Sequence, residues 1–324
     1  MWLYLILSLL ALTIGYAFRI YFRGKECKIN RDISKKVIVI TGGSKGIGQE
    51  TIRQLAKHNC SIVFGSRTKP IEFLNHLNKY YPKATIKYIP LDLQNWNSIK
   101  QFIEQLKIEV KKIDFLINNA AIMGTLTRQL TQYGLESQFG TNYLGPFYLT
   151  QQLIPLLKQS ESPRIINIAS VAHTYEDLDL KDINCDRWAN SILWSRIYTY
   201  RAYGNTKLSL IMNAQEFSKR TGIKACSLHP GVVRSEVLQF QLSTKWSEWL
   251  LKILWPFFAY FTKDCYYGCQ TTLYCIMMND DQFVDGGYYD NCQLSQPKYT
   301  SKKRAEQLWD FTLDLIKKIE KEQQ

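Results

Sequence analysis

The chain has no Cys-x-x-Cys pair among its eight cysteines (Cys27, Cys60, Cys185, Cys226, Cys265, Cys269, Cys275 and Cys292). That excludes the usual zinc-ligand spacings, and no metal site is expected. The even count permits disulfides, but nothing else in the 324 residues resembles a small secreted scaffold. The only cluster, Cys265, Cys269 and Cys275, reads as core or surface. The sequence also lacks an internal repeat, a low-complexity tract and an interdomain linker. Acid is scarce relative to base, 28 Asp and Glu against 41 Lys and Arg, for a net charge of +13. Such a balance fits a solvated basic surface, or attraction to anionic lipid, an anionic cofactor or nucleic acid. No nucleic-acid-binding motif accompanies it, so no nucleic-acid partner is expected. What is present is a real core: hydrophobic residues make up 46% of the chain, which is incompatible with wholesale disorder.

Charge is missing altogether from Trp2 to Phe18. Extended to Phe22, this apolar run would span about 30 Å as a helix, enough to cross a bilayer. Arg19 could snorkel at the boundary. Arg23, Lys25, Lys28 and Arg31 follow at once, which places the rest of the chain on the cytosolic side. A cleaved signal peptide is the alternative. Against it, no basic residue precedes the run and no clear small-x-small cleavage site follows. Residues 1–24 are therefore expected to be a membrane anchor.

The next stretch alternates strands with helical patterns. Lys35 to Thr41 is rich in β-branched residues and reads as a buried strand. It runs into Gly42-Gly43-Ser44-Lys45-Gly46-Ile47-Gly48, and a helical pattern follows through Ile52, Leu55 and Ala56. Strand, glycine turn and helix together make a phosphate site: the backbone can approach a pyrophosphate, and the helix start offers unpaired N–H groups. The strand Ser61 to Arg67 ends where an NAD enzyme commonly carries an acid for the ribose 2′-hydroxyl. Arg67 stands there instead, and with Lys45 it suits the 2′-phosphate of NADP(H). A third strand, Ile86 to Leu93, ends on Asp92, which could accept from an adenine amino group or cap the next helix. That helix is expected from about Ser98 to Lys111. A fourth strand, Ile113 to Ala121, ends in the amides Asn118 and Asn119, and Arg164 to Ser170 reads as a fifth. The pattern predicts an α/β fold, a single Rossmann-type, doubly wound parallel sheet flanked by helices, with an N-terminal transmembrane helix.

Tyr203 and Lys207 are four residues apart, one turn of a helix, so an ammonium can sit beside a phenol. A free phenol titrates near ~10, and a nearby cation favours its ionised form. Behind a glycine turn and a strand-end hydroxyl, this pair reads as a proton-transfer site.

Taken together, these motifs resemble the short-chain dehydrogenase/reductase family. Thr41 to Gly48 has that family's Gly-x-x-x-Gly-x-Gly spacing, and Asn118-Asn119-Ala120-Ala121 is similar to its Asn-Asn-Ala-Gly motif with Ala121 in the last place. Asp92 matches the adenine contact, Asn142 the helix asparagine of the proton relay, and Ser170 the active-site serine. His229 to Ser235 matches the loop closing over the nicotinamide. The N-terminal anchor, Ser170-Val171-Ala172-His173 and Gly286 to Cys292 narrow the resemblance to the retinol-dehydrogenase-like branch. The likeness runs from about Lys35 to Pro297.

The resemblance implies a catalytic set of Asn142, Ser170, Tyr203 and Lys207. It implies NADP(H) held by Gly42, Ser44, Lys45, Gly46, Ile47, Gly48, Arg67, Asp92, Leu93, Asn119, Tyr203, Lys207, Pro230, Gly231 and Val233. It also implies a domain over residues 35–297, with a substrate lid at 236–262, followed by a C-terminal helix at 298–324. The lid region holds Trp246, Trp249 and Trp255 with Pro256. It reads as an interfacial segment facing the membrane or as a buried core helix. The segment from His173 to Tyr200 reads either as a substrate-side loop presenting Trp188, Trp194 and Tyr198 or as a packed excursion. His173 and His229 are expected to shape loops. The implied activity is reduction or oxidation of a lipophilic carbonyl or alcohol such as retinal or retinol, at the endoplasmic reticulum membrane. The partners are then a lipophilic small molecule and membrane lipid, with a homodimer left open. A steroid or fatty-aldehyde reductase, or a catalytically silent NADP(H)-sensing scaffold, are the alternatives.

Overall fold

The computed structural model describes residues 1–123, 128–175, 178–188, 195–234 and 260–322. Strand β1, Val37–Thr41, shows why the sheet is layered. Side chains alternate across a strand. Ile38 and Ile40 accordingly join one buried cluster, while Val39 joins another on the opposite face. The strands β2 (Ser61–Ser66), β3 (Thr85–Pro90), β4 (Phe115–Asn118), β5 (Arg164–Ile168), β6 (Lys224–His229), β7 (Tyr288–Asp290) and β8 (Gln293–Ser295) complete one sheet. Its order is β3-β2-β1-β4-β5-β6-β7-β8. Every pairing is parallel except β7 with β8. The reversal of direction around β1 and β4 makes it doubly wound.

Helix α1, Trp2–Arg23, precedes the sheet. Its window Ile6–Arg23 is long and apolar enough to cross a membrane. Arg19, expected to reach a lipid boundary, instead donates from Nη1 to the carbonyls of Tyr260 and Thr262 at 3.0 and 2.9 Å. Helices α2 (Gly46–Ala56) and α3 (Ile71–Tyr80) cover one face of the sheet. The opposite face carries α4 (Trp96–Glu109), α5 (137–157) and α6 (Ser195–Thr221). Helix α4 starts two residues earlier than expected because Asn95 caps it, its side chain accepting from the N–H groups of Asn97 and Ser98. Helix α5 contains a π-helical turn at Gly140–Leu144, a feature that tends to sit near functional sites.

On the first face, α7 (Gln270–Met277) packs beside β5 and β6. The terminal helix α8, Lys302–Glu322, is a core element on one side. Trp309 meets Phe147 and Phe217 edge-on, and Thr312 hydrogen-bonds the Tyr143 hydroxyl at 2.9 Å. All eight cysteines are free thiols, with Cys269 and Cys275 buried.

Candidate active site

The carboxyl ends of β1 to β6 open onto a single cavity of about 580 Å³. Crevices of this kind, at the strand ends where the order reverses, are where doubly wound sheets bind ligands. The glycine turn after β1 forms its floor. A methyl group placed on Gly48 would lie 2.3 Å from the Gly42 carbonyl oxygen and 2.5 Å from Asn119 Nδ2, so only glycine fits that approach. Asn119 fixes the turn from the other side, donating from Nδ2 to the carbonyls of Thr41 and Gly42. The Thr41 hydroxyl accepts the backbone N–H groups of Asn119 and Ala120 and so ties β1 to β4. The first N–H groups of α2, at Gly46, Ile47 and Gly48, belong to this wall. Lys45 precedes that helix, and Arg67 follows β2 at the same end of the cavity.

Asp92 lines the cavity after β3, with Oδ1 accepting from the Gln94 N–H at 3.0 Å. The capping alternative for Asp92 falls away because Asn95 fills it. Leu93 packs beneath. Pro230, Gly231 and Val233, after β6, form the far wall. All the residues expected to hold a cofactor therefore meet in one place. A cradle shaped by Gly42 and Gly48, a helix start and two cations fits a dinucleotide phosphate group.

Ser170 follows β5, accepts the Ala172 N–H on its hydroxyl at 3.2 Å, and lines the cavity together with Tyr203. Tyr203 and Lys207 lie on α6, the Lys207 ammonium 5.3 Å from the centre of the Tyr203 ring. Lys207 Nζ donates to the Ile168 carbonyl at 2.7 Å and forms no ion pair among the described residues. The expected depression of the phenol is not what the protein's own groups produce. Burial pushes Tyr203 up to about 12, against a smaller downward pull from Ser170. Burial also pushes Lys207 down to about 7, so the ammonium holds only part of its charge at neutral pH.

Asn142 stands apart from the cavity. It is fully buried in the π turn, and its amide pairs with both backbone groups of Ile122 at 2.8 Å. Its Nδ2 also reaches the Thr206 hydroxyl, which donates to the Tyr203 carbonyl. Asn142 thus braces the cavity segment Ala121 to Met123 against the helix that carries Tyr203.

The histidines act as loop struts. His173 donates from Nδ1 to the Ser170 carbonyl at 2.6 Å, a role fixed because its Nε2 accepts the Lys298 N–H. His229 accepts from the Val171 N–H, and burial holds its ring near 3, neutral at ordinary pH. Tyr198, a candidate ligand contact, is packed inside with its hydroxyl donating to Glu136. Trp194 and residues 236–259 of the lid lie outside the described residues. Tyr200 was not singled out, yet it lines the cavity one turn before Tyr203. The i, i+3 spacing on a helix was the available signal.

A family model for short chain dehydrogenases matches residues 36–178. Retinol dehydrogenase 12 of Mus musculus is 33% identical over 317 residues, covering 96% of this chain and 95% of its own length. The chain belongs to the short-chain dehydrogenase/reductase family. Within that family it falls in the retinol-dehydrogenase-like branch. Retinol dehydrogenase 11 of Mus musculus is also 30% identical across 90% of this chain and 89% of that protein. The crystal structure of levodione reductase superposes with a TM-score of 0.60 over 85% of this chain and 99% of that one. At 15% identity that likeness speaks to the fold alone. A short-chain dehydrogenase uses a nicotinamide dinucleotide, NAD or NADP, to which the glycine cradle conforms.

Proposed function

We propose that this dehydrogenase is a membrane-bound, NADP(H)-dependent oxidoreductase that interconverts a lipophilic aldehyde or ketone and its alcohol, with retinal and retinol as the model pair. The observation that carries the reading is that Ser170, Tyr203 and Lys207 line the same cavity as the glycine turn. When bound, the nicotinamide supplies or accepts the hydride. Ser170 donates a hydrogen bond to the substrate oxygen and steadies the charge that builds there. Tyr203 delivers its proton to that oxygen in reduction and takes it back in oxidation. Lys207 is held beside the phenol by the Ile168 carbonyl, where it can also meet ribose hydroxyls. Asn142 keeps the cavity wall and α6 in register, through Ile122 and Thr206.

The NADP preference rests on Lys45 and Arg67 at the cavity end, and on the missing acid after β2. The lipophilic substrate is supported by the names of the similar dehydrogenases and by α1 beside the site. The basic residues after α1 support a domain that faces the cytosol, and the likeness to the retinol-dehydrogenase branch suggests the endoplasmic reticulum. A silent scaffold is disfavoured by Lys207, since burying an ammonium without a carboxylate partner is costly and unneeded for mere nucleotide docking. Steroid and fatty-aldehyde substrates belong in the same assay.

Membranes holding the expressed protein should reduce retinal or another long-chain carbonyl faster with NADPH than with NADH. Replacing Arg67 by Asp should lower the NADPH-to-NADH ratio of kcat/KM by about 10- to 100-fold, the worth of one charge-assisted phosphate contact. An unchanged ratio would take Arg67 out of the site.

A further inference from the structure

The N-terminal helix packs against the segment that holds the cofactor loop. Beyond the two Arg19 bonds to Tyr260 and Thr262, the Tyr260 hydroxyl donates to the Gly15 carbonyl, and Phe22 meets Phe261 edge-on at 5.1 Å. Arg23 lies over the Tyr267 ring at 4.7 Å, and Lys25 N–H donates to Asn291 Oδ1 at 2.7 Å. Residues from Gly15 to Lys25 thus grip the segment 260–267 and the turn between β7 and β8.

That same segment is stitched to the cofactor loop. Lys263 N–H donates to the Val232 carbonyl, and Arg234 N–H donates to the Lys263 carbonyl, both at 2.8 Å. The Lys263 side chain is 8% exposed and runs between two glycines. A methyl on Gly24 would lie 2.7 Å from Lys263 Nζ, and a methyl on Gly231 would lie 2.6 Å from its Cδ and Cε. Both glycines are in the left-handed region, φ 78° and 91°, so each turn presents bare backbone to the lysine. Gly24 ends α1, and Gly231 lines the cavity. Burial pushes the Lys263 ammonium down while the carboxylate of Asp290 pulls it up, so the side chain sits in a tight electrostatic setting.

We propose that α1, through Arg19 and Lys263, is a positioning element for the cofactor loop 230–234, so that the helix expected to anchor the protein also sets the nicotinamide side of the cavity. Arg19 fixes the segment 260–263 from one side. Lys263 wedges the end of α1 against Gly231 on the other. Loosening either lets the loop retreat from the nicotinamide ring while leaving the glycine turn and adenine end unchanged. This rests on the dinucleotide reading of the cavity, and the test separates the two.

The test uses the full-length protein in bilayer nanodiscs. Nucleotide binding is followed by energy transfer from protein tryptophan to the reduced nicotinamide, and 2′,5′-ADP, which lacks the nicotinamide half, by competition. Arg19→Met and Lys263→Met each keep an unbranched side chain and remove the charge. Each should weaken NADPH binding by about tenfold, with 2′,5′-ADP binding altered by less than about twofold. Arg19→Lys, which keeps a donor for one carbonyl, should recover part of the loss. Equal weakening of NADPH and 2′,5′-ADP would mean general destabilisation and overturn the proposal, as would wild-type NADPH affinity in both Met variants. Failure of the wild-type protein to bind NADPH or NADH would instead remove the dinucleotide reading, and this proposal with it.

Discussion

Replacing Tyr203 by Phe is expected to cut turnover by about 10³- to 10⁴-fold while nucleotide binding and the folded structure survive. The substitution removes one oxygen from a residue that is 9% exposed, and the ring stays packed. What is lost is the phenolic proton in the cavity that Ser170 also lines. The pH dependence of the wild-type enzyme checks the same assignment. With the phenol at about 12, Tyr203 is protonated across the neutral range and ready to donate. Carbonyl reduction should therefore gain nothing as pH rises from 6 to 9. Alcohol oxidation needs the phenolate, whose fraction grows with pH below the folded pKa, so its kcat/KM should rise by up to about tenfold per unit. Steady-state rates in both directions decide this. Retained turnover in the Phe variant, or a reduction rate that climbs in parallel with oxidation, would refute the proton-donor role.

Gly48→Val should be as damaging by a different route. The new side chain would begin 2.3 Å from the Gly42 oxygen and 3.0 Å from its carbonyl carbon, both backbone atoms that cannot swing aside. Either the glycine turn opens or α2 shifts, and both separate the helix N–H groups from the phosphate they would meet. Nucleotide binding should fall below detection. The strain should cost about 2–3 kcal/mol of stability, within the range for overpacking. Chemical denaturation and nucleotide titration measure the two effects independently. A variant that binds nucleotide like the parent would show that the phosphate lies elsewhere.

Much of the site could be read from sequence because its motifs are local. The β-branched run of β1 flows straight into its glycines, and Tyr203 and Lys207 share a helix face whatever surrounds them. Short or long-range features were silent. Strands β7 and β8 are three residues each and exist through pairing with distant partners. Asp92 and Asn95 are both capping types, and only the backbone path shows that Asn95 holds Asn97 and Ser98. The pKa directions of Tyr203 and Lys207 depend on burial, which spacing does not reveal, so the expected lowering of the phenol was the wrong sign. Arg19 looked like a lipid-boundary residue because its carbonyl partners lie 241 and 243 positions away.

Transfer of deuterium from NADPH labelled at both nicotinamide C4 positions tests the central account most directly. Supplied with that cofactor and a lipophilic aldehyde, full-length protein in membranes should yield alcohol labelled at the former carbonyl carbon, with Tyr203→Phe yielding almost none. Unlabelled alcohol, or no alcohol from any aldehyde, retinoid or steroid by a protein that binds the cofactor, would contradict it.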